Sequence, residues 1–280
     1  MGQDSIMIRP PFIEVERLIR RKGLLAAEPR MVPEETPIAL SYGGTTHAVM
    51  MATPSDLEDF ALGFSMTEGI IAQPDEIDSI EFGDVGAGID IQIRLKDTAN
   101  RRFEARRRRL AGPVGCGLCG IESIEEAMRS VRSVARVELD LAFADVAQAV
   151  ADLARQQPFH ARTGAVHAAG FFVPGKGVIA AREDVGRHNA LDKLAGALLR
   201  KGMEGRTGAA VVTSRVSVEM VQKTSAIGAP VIMAVSAPTA LAVRIAEEAG
   251  MTLVALVRGG EFDIFTHPER IKAGAVQHVA

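Results

Sequence analysis

The sequence predicts an α+β fold: a layered sheet with helices on its faces, α/β in its local alternation, preceded by a smaller N-terminal α+β subdomain. Three observations predict it. From residue 166 to 257, short apolar runs alternate with amphipathic stretches of helical length, the pattern of a mostly parallel sheet covered on its faces. From 36 to 95, β-rich runs bracket a single helical pattern. The change between the two regimes places a seam near 140–160, giving a lead-in over 1–32, an N-terminal subdomain over 33–140 and a C-terminal α/β domain over 141–280.

Taken in order, residues 1–32 mix Pro10-Pro11 with the basic cluster Arg20-Arg21-Lys22 and have only patchy periodicity, so they read as a loosely attached lead-in. Thr36–Tyr42 and Thr45–Thr53 are β-rich and split by Gly43-Gly44, the composition of a two-residue hairpin turn. Ser55 with Glu58 makes a capping-box pattern. Leu57, Phe60, Ala61 and Phe64 then recur at helical spacing until Gly69, predicting a helix of about four turns. Strands are expected over 77–83 and 89–95, the second alternating isoleucine with polar residues. A helix begins near Glu122 and another spans about 142–156. Val166–Val173 and Val178–Ala181 read as strands around Pro174-Gly175-Lys176-Gly177, followed by a helix from about 188 to 201. Ala209–Thr213, Val231–Val235 and Thr252–Val257 complete the strands, and Ser217–Ile227, capped by Ser217, and Thr239–Ala249 the helices.

A chain of 280 residues with 47% hydrophobic and 24% charged residues buries a core without staples and is neither disordered nor collagenous. A net charge of −3, with 4% aromatics and no Trp, excludes sequence-general binding to nucleic acid: there is no positive field and little to stack bases on. The first residues carry an acid, Asp4, and no apolar run, so no secretory signal is expected and the protein reads as cytoplasmic and thiol-reduced. Thr224 to Val243 is free of charge for 20 residues, a length that can span a bilayer. Gly228, Pro230, Ser236 and Pro238 interrupt it, so it reads instead as helix end, buried strand and next helix start, with no membrane partner.

The chemistry concentrates at Cys116 and Cys119, a Cys-x-x-Cys flanked by Gly115, Gly117 and Gly120 and preceded by six arginines and one glutamate in residues 101–109. Glycines free the backbone, and nearby guanidinium charge lowers a thiol pKa and attracts anions. A catalytic thiol, half a zinc site and a spare redox pair all fit this spacing. Zinc deaminases pair Pro-Cys-x-x-Cys with His-x-Glu. Here Pro113 is three residues from Cys116, and the matching His267-Pro268-Glu269 follows the cysteines instead of preceding them. Arg182 to Ala190 gathers acid, base and amide groups before a helix, where backbone N–H groups hold anions, or serves as capping and surface charge. Thr213-Ser214-Arg215 and Ser236-Ala237-Pro238-Thr239 each follow a strand, where open α/β sheets bind ligands, so the two loops are expected to line one crevice; each also fits a simple helix cap. His167 reads as a core or rim histidine.

Eight segments occur together in a recognisable order: Ala61 to Phe64, Thr67 to Ile70, Cys116 to Gly120, Thr163 to Ala169, Glu183 to Lys193, Ser214 to Lys223, Val235 to Thr239 and Phe262 to Thr266. In these the sequence resembles the FdhD family of formate dehydrogenase accessory sulfurtransferases, over about 33–270. Family members carry serines where this chain has Gly112 to Gly115, and Gly-Gly where it has Gly164-Ala165. The resemblance implies a cytidine-deaminase-like fold and a homodimer. It implies a carrier that takes persulfide sulfur from a cysteine desulfurase and passes it to the Mo-bis(molybdopterin guanine dinucleotide) cofactor required by a molybdenum-dependent formate dehydrogenase. It places the persulfide on Cys116, with Cys119 as its companion, and cofactor binding on Phe262, Asp263, Ile264, Phe265, Thr266 and His267. Arg215, Ser236 and His188 join these as the loop residues that would seat GDP-like guanine nucleotides. No metal ligand is assigned. The competing expectations are a zinc-dependent, deaminase-like hydrolase and a non-enzymatic chaperone that binds the cofactor.

Overall fold

The computed structural model describes residues 9–110 and 131–273, the side chains of 106–110 excepted. The cysteine loop at Cys116 and Cys119 and the helix expected near Glu122 lie outside the described residues. The chain is a mixed α+β protein with several sheets.

The segment read as a loose lead-in contains a hairpin of two ten-residue strands, β1 (Phe12–Arg21) and β2 (Leu24–Pro33). Lys22 and Gly23 turn it with positive φ of 50° and 85°, the primed geometry that matches strand twist. Its base is tied to the main body: Phe12 meets Phe159 edge-on at 5.9 Å, and Arg30 donates to the Thr163 carbonyl at 2.9 Å.

Next comes a four-stranded sheet in the order β4-β3-β6-β5, formed by β3 (Thr36–Tyr42), β4 (Thr45–Ala52), β5 (Ile77–Asp84) and β6 (Ile89–Leu95). Gly43 and Gly44 turn the expected hairpin with φ of 57° and 78°. The helix α1 (Leu57–Thr67) covers the sheet with Leu57, Phe60, Ala61 and Phe64 against Ile38, Leu40, Ile91 and Ile93. The predicted capping box does not form. Asp56 takes the N-cap position in a left-handed conformation without a side-chain cap, and Ser55 Oγ is buried without a hydrogen bond. The helix runs 11 residues, about three turns and not four. The arginine-rich stretch, assigned no element from sequence, lies in the helix α2 (Asp97–Leu110), which buries Ala99 and Phe103 one turn apart.

The larger sheet has six strands in the order β13-β12-β11-β10-β8-β9. They are β8 (His167–Val173), β9 (Gly177–Asp184), β10 (Ala209–Val212), β11 (Val231–Ala234), β12 (Thr252–Arg258) and β13 (Glu261–Thr266). It is mixed, where the sequence predicted a mostly parallel sheet: only β10, β11 and β12 are mutually parallel, and antiparallel pairs flank them. The three-residue turn after β8 and the two glycines after β12 are too short for a parallel crossover, which takes a dozen residues or more. Alternate side chains of the apolar runs enter two cores. Phe171, Val212, Ile232 and Leu253 pack under α5 (Arg187–Arg200), α6 (Val218–Ile227) and α7 (Ala240–Ala249). Phe172, Val211, Met233 and Val254 pack on the other face under α3 (Phe143–Arg155). The short α4 (Pro158–Thr163) joins α3 to β8, and β7 (Leu141–Ala142) pairs with β14 (Ile271–Lys272) beside them. The charge-free stretch 224–243 resolves as expected into the end of α6, β11 and the start of α7. Among the described residues no helix is long and apolar enough to cross a membrane.

Two glycines fix how the two sheets meet. Helices α1 and α5 cross so closely that a Cβ on Gly63 would lie 1.7 Å from the Asp192 carbonyl oxygen, and one on Gly196 would lie 1.9 Å from that of Asp59. Backbone meets backbone there, which only glycine permits.

Candidate functional site

The C-terminal ends of β10, β11 and β12 open on one side of the large sheet, and loops after them form a rim. The loops 213–217 and 235–239 lie side by side, joined by a parallel bridge between Val216 and Pro238, with Val216 N–H donating to Ala237 O and Thr239 N–H to Val216 O. Thr239 Oγ1 caps α7 by accepting from Ala242 N at 3.2 Å. Ser217 stands at the start of α6 but does not cap it. Its Oγ lies 3.3 Å from His188 Nε2, which also sits 2.8 Å from Glu219 Oε2. The hydrogen bond from His188 holds the Glu219 carboxyl below its usual range, against a smaller opposing effect of burial. Arg215 is exposed on the same rim and Ser236 is half-buried there. The Ser236 carbonyl faces the N–H of Leu256, a residue held at φ 58° where the register of β12 against β13 is broken. A leucine in that conformation is a local strain beside the rim.

The segment Phe262 to His267 runs away from this end. Phe262 and Asp263 open β13 next to the end of β12, and Phe262 packs edge-on against Phe143 at 5.7 Å. Ile264 packs on the core, Phe265 is exposed, and Thr266 Oγ1 is used within the sheet, donating to Met251 O at 2.7 Å and accepting from Leu253 N at 3.0 Å. His267 follows at the opposite end of the strands, beside Thr252, about 13 Å along the sheet from the level of Ser236. Its Nε2 engages Glu247 O at 2.9 Å and its Nδ1 engages Glu269 Oε1 at 3.1 Å. Although burial works against its charged form, these partners raise its pKa. The structure thus brings His188, Arg215, Ser236, Phe262 and Asp263 to one end of the sheet and His267 to the other. Among the described residues no group of three or more His, Cys, Asp or Glu side chains could hold a metal.

A second polar assembly was not anticipated from the sequence. Lys193 and Asp184 are fully buried and paired at 2.6 Å. Lys193 also donates to Thr53 O, and Asp184 accepts from Thr53 N, Gly186 N and Asn189 Nδ2. One turn away, buried Lys223 reaches Asp192 and Glu68, each at 2.8 Å, and Thr67 Oγ1 donates to Asp192. Burial pushes the Asp192 carboxyl up even though Lys223 opposes it, because one ammonium is shared by two carboxylates; those carboxylates keep Lys223 charged against its own burial. The assembly joins β4 and α1 to β9, α5 and α6. The signal was present: Asp192-Lys193 sits between Leu191 and Leu194, in a helix buried nearly all round. Charges inside such a helix need partners.

The model of the FdhD/NarQ family matches residues 33–272. The chain belongs to the FdhD/NarQ family. It is 54% identical over 266 residues to the sulfur carrier protein FdhD of Agrobacterium fabrum, covering 95% of this chain and 98% of that one. It is 55% identical over 258 residues to the protein of the same name from Brucella abortus, covering 92% and 96%. Among solved structures, "a putative formate dehydrogenase accessory protein" from Desulfotalea psychrophila superposes with a TM-score of 0.74 at 27% identity, over 94% of this chain and all of that one. Both polar assemblies and the Cys116–Cys119 pair fall within the span that matches the FdhD/NarQ model.

Proposed function

We propose that the chain is a sulfur carrier that serves formate dehydrogenase. It takes sulfur from a cysteine desulfurase onto Cys116 and delivers it to Mo-bis(molybdopterin guanine dinucleotide), the cargo of a molybdenum-dependent formate dehydrogenase. The observation that carries this reading is the match to the FdhD/NarQ family across 33–272, a span that includes Cys116-Gly117-Leu118-Cys119-Gly120. The names of the relatives support sulfur carriage, and the rim of the large sheet supports a nucleotide-bearing cargo, since strand C-termini in α/β sheets are where such ligands sit.

In chemical terms the Cys116 thiolate attacks the outer sulfur of the donor's Cys–S–SH. A new S–S bond forms on Cys116, the donor's S–S bond breaks, and the donor cysteine leaves as thiolate. On delivery to the cargo, attack of the Cys119 thiolate on Cys116 Sγ expels the outer sulfur as hydrosulfide and leaves a Cys116–Cys119 disulfide, so atoms and electrons balance; without cargo the sulfur stays on Cys116. His188, Arg215 and Ser236, with Phe262 and Asp263, are the proposed seat of the guanine nucleotide; Ile264 to His267 complete the cargo segment. The working state is a cytoplasmic homodimer.

The test is the intact mass of wild type, Cys116→Ala and Cys119→Ala after incubation with a cysteine desulfurase and cysteine, without reductant. The reading expects one added sulfur on wild type and Cys119→Ala and none on Cys116→Ala. No gain on wild type, or an undiminished gain on Cys116→Ala, overturns it.

A further inference from the structure

The hairpin β1–β2 is a sheet of two strands with no third strand beside it, and it lies outside the span that matches the family model. A hairpin of two strands alone is marginal in water, so an arm built of ten-residue strands calls for a partner. Its base is held through Phe12 and Arg30, but its outer half carries Leu18, Leu24 and Leu25 at 74%, 75% and 69% exposure. The two edges differ. Because the two-residue turn closes on Arg21 and Leu24, the even-numbered residues of β1 and those opposite them turn their main-chain groups outward. On β2 these outward positions include Pro29, opposite Glu16, and Pro33, opposite Phe12, and the missing donors guard that edge against pairing. The edge of β1 has no proline and offers N–H and C=O groups at Glu14, Glu16, Leu18 and Arg20. The side chains of Glu16, Leu18 and Arg20 share one face, with Ala27 and Leu25 beside them on β2. Neither Glu16 nor Arg20 enters an ion pair among the described residues, whereas Arg17 and Arg21 share Glu28.

We propose that this arm pairs with the arm of a second copy of the chain, β1 against β1, antiparallel about a two-fold axis at Leu18, to give a four-stranded sheet in the order β2-β1-β1-β2. The pattern Glu-x-Leu-x-Arg is its own complement in that register: Glu16 of each copy lies opposite Arg20 of the other, and the two Leu18 side chains meet on the axis. The free main-chain groups of the two β1 edges then face each other at residues 16, 18 and 20. Moving the axis to Arg17 would oppose two guanidinium groups and set Glu16 against Leu18, so the charges select the register as well as the occupant. The inference deepens the homodimer of the proposed function, and rests on it, by naming the surface through which that dimer forms.

Sedimentation of the full chain over a range of concentrations, with sulfur loading on Cys116 measured alongside, tests it. Wild type is expected to be a dimer. Glu16→Arg sets like charges opposite each other twice, and Leu18→Glu sets two carboxylates on the axis; each is expected to raise the dimer dissociation constant by about tenfold or more, and Glu16→Arg/Arg20→Glu to restore it. In a Cys116→Ala/Cys119→Ala background, Leu18→Cys is expected to form an intersubunit disulfide under mild oxidation, because directly opposed strand positions lie within disulfide reach. Leu25→Cys, about 14 Å or more from its twin across three strand spacings, is expected to form none. A wild-type dimer that Glu16→Arg and Leu18→Glu leave intact overturns the pairing while the homodimer stands. Loss of the dimer in Leu18→Glu, without rescue by the charge exchange and without the Leu18→Cys cross-link, assigns the arm to another surface and also overturns it. Wild type that is monomeric at every concentration overturns the pairing and the homodimer together, and sulfur gained on Cys116 in that monomer leaves the sulfur-carrier reading in place. A dimer that responds as expected, in protein that takes up no sulfur, leaves the pairing standing and removes the sulfur-carrier reading instead.

Discussion

Within twelve residues, from Arg182 to Lys193, the chain supplies polar groups to two very different surroundings. Asp184, Asn189, Asp192 and Lys193 are sealed in the junction, Asp184 at the end of β9 pairing with Lys193 on α5, and Asp192 with Lys223 on α6. Arg187 and His188 stand on the rim, half-exposed, beside loops that end strands. The difference teaches that a dense polar motif is not one site. Here the same stretch fastens two sheets together and furnishes one edge of a crevice, where Arg187 Nε is left without a hydrogen bond.

The largest effect that would sharpen this contrast comes from the sealed side. Lys193→Met leaves Asp184 charged, buried and without its ammonium, and is expected to cost about 3–5 kcal/mol in urea unfolding, with Asp184→Asn/Lys193→Met regaining part of it. Stability unchanged in Lys193→Met would show that the buried pair does not fasten the junction. Next, Gly63→Ala forces a methyl group into the Asp192 carbonyl and should destabilise by about 1–3 kcal/mol or more, whereas Arg215→Ala on the rim should stay within about 0.5 kcal/mol. Comparable midpoints for the two would erase the distinction between junction and rim. The smallest effect belongs to Glu219→Gln, about 0.5 kcal/mol at neutral pH, because the His188 pair is partly solvated. Glu219 titrates below its ordinary 4.5 in the folded chain, so its contribution is full above that value and is lost as pH falls through the lower folded one. The gap between wild type and Glu219→Gln should therefore close in acid. A gap that is constant from pH 7 to pH 3 contradicts the pairing.

Much of the fold was legible where local pattern and burial agree. Gly43-Gly44 between two β-rich runs marks its hairpin, and the isoleucines of β6 alternate because one face is buried. The β1–β2 hairpin was not legible: its periodicity is only patchy, because with no further strand paired to it the hairpin leaves Leu18, Leu24 and Leu25 exposed. Helix α2 was masked by its arginines, which leave two buried apolar side chains one turn apart. The strand order escaped because apolar runs look alike whether their neighbours run parallel or antiparallel. On the rim, the two strand-end loops were legible as neighbours. The pairing of Thr53 with Asp184 was not, since nothing in either segment names a partner 131 residues away.

The glycine crossing of α1 over α5 also governs how the protein is made. The face of α1 that bears Gly63 is completed by residues that follow it by more than a hundred positions, and Thr67 meets Lys223 only 156 residues later. During synthesis the first sheet and its helix therefore emerge long before their cover exists, with Asp59 and Glu68 still solvated. Such non-local closure is slow, and the waiting surface is the one most exposed to mispairing. Maturation of the carrier is in this sense limited by its own last third: until α6 has left the ribosome, Lys223 is absent and the junction cannot shut.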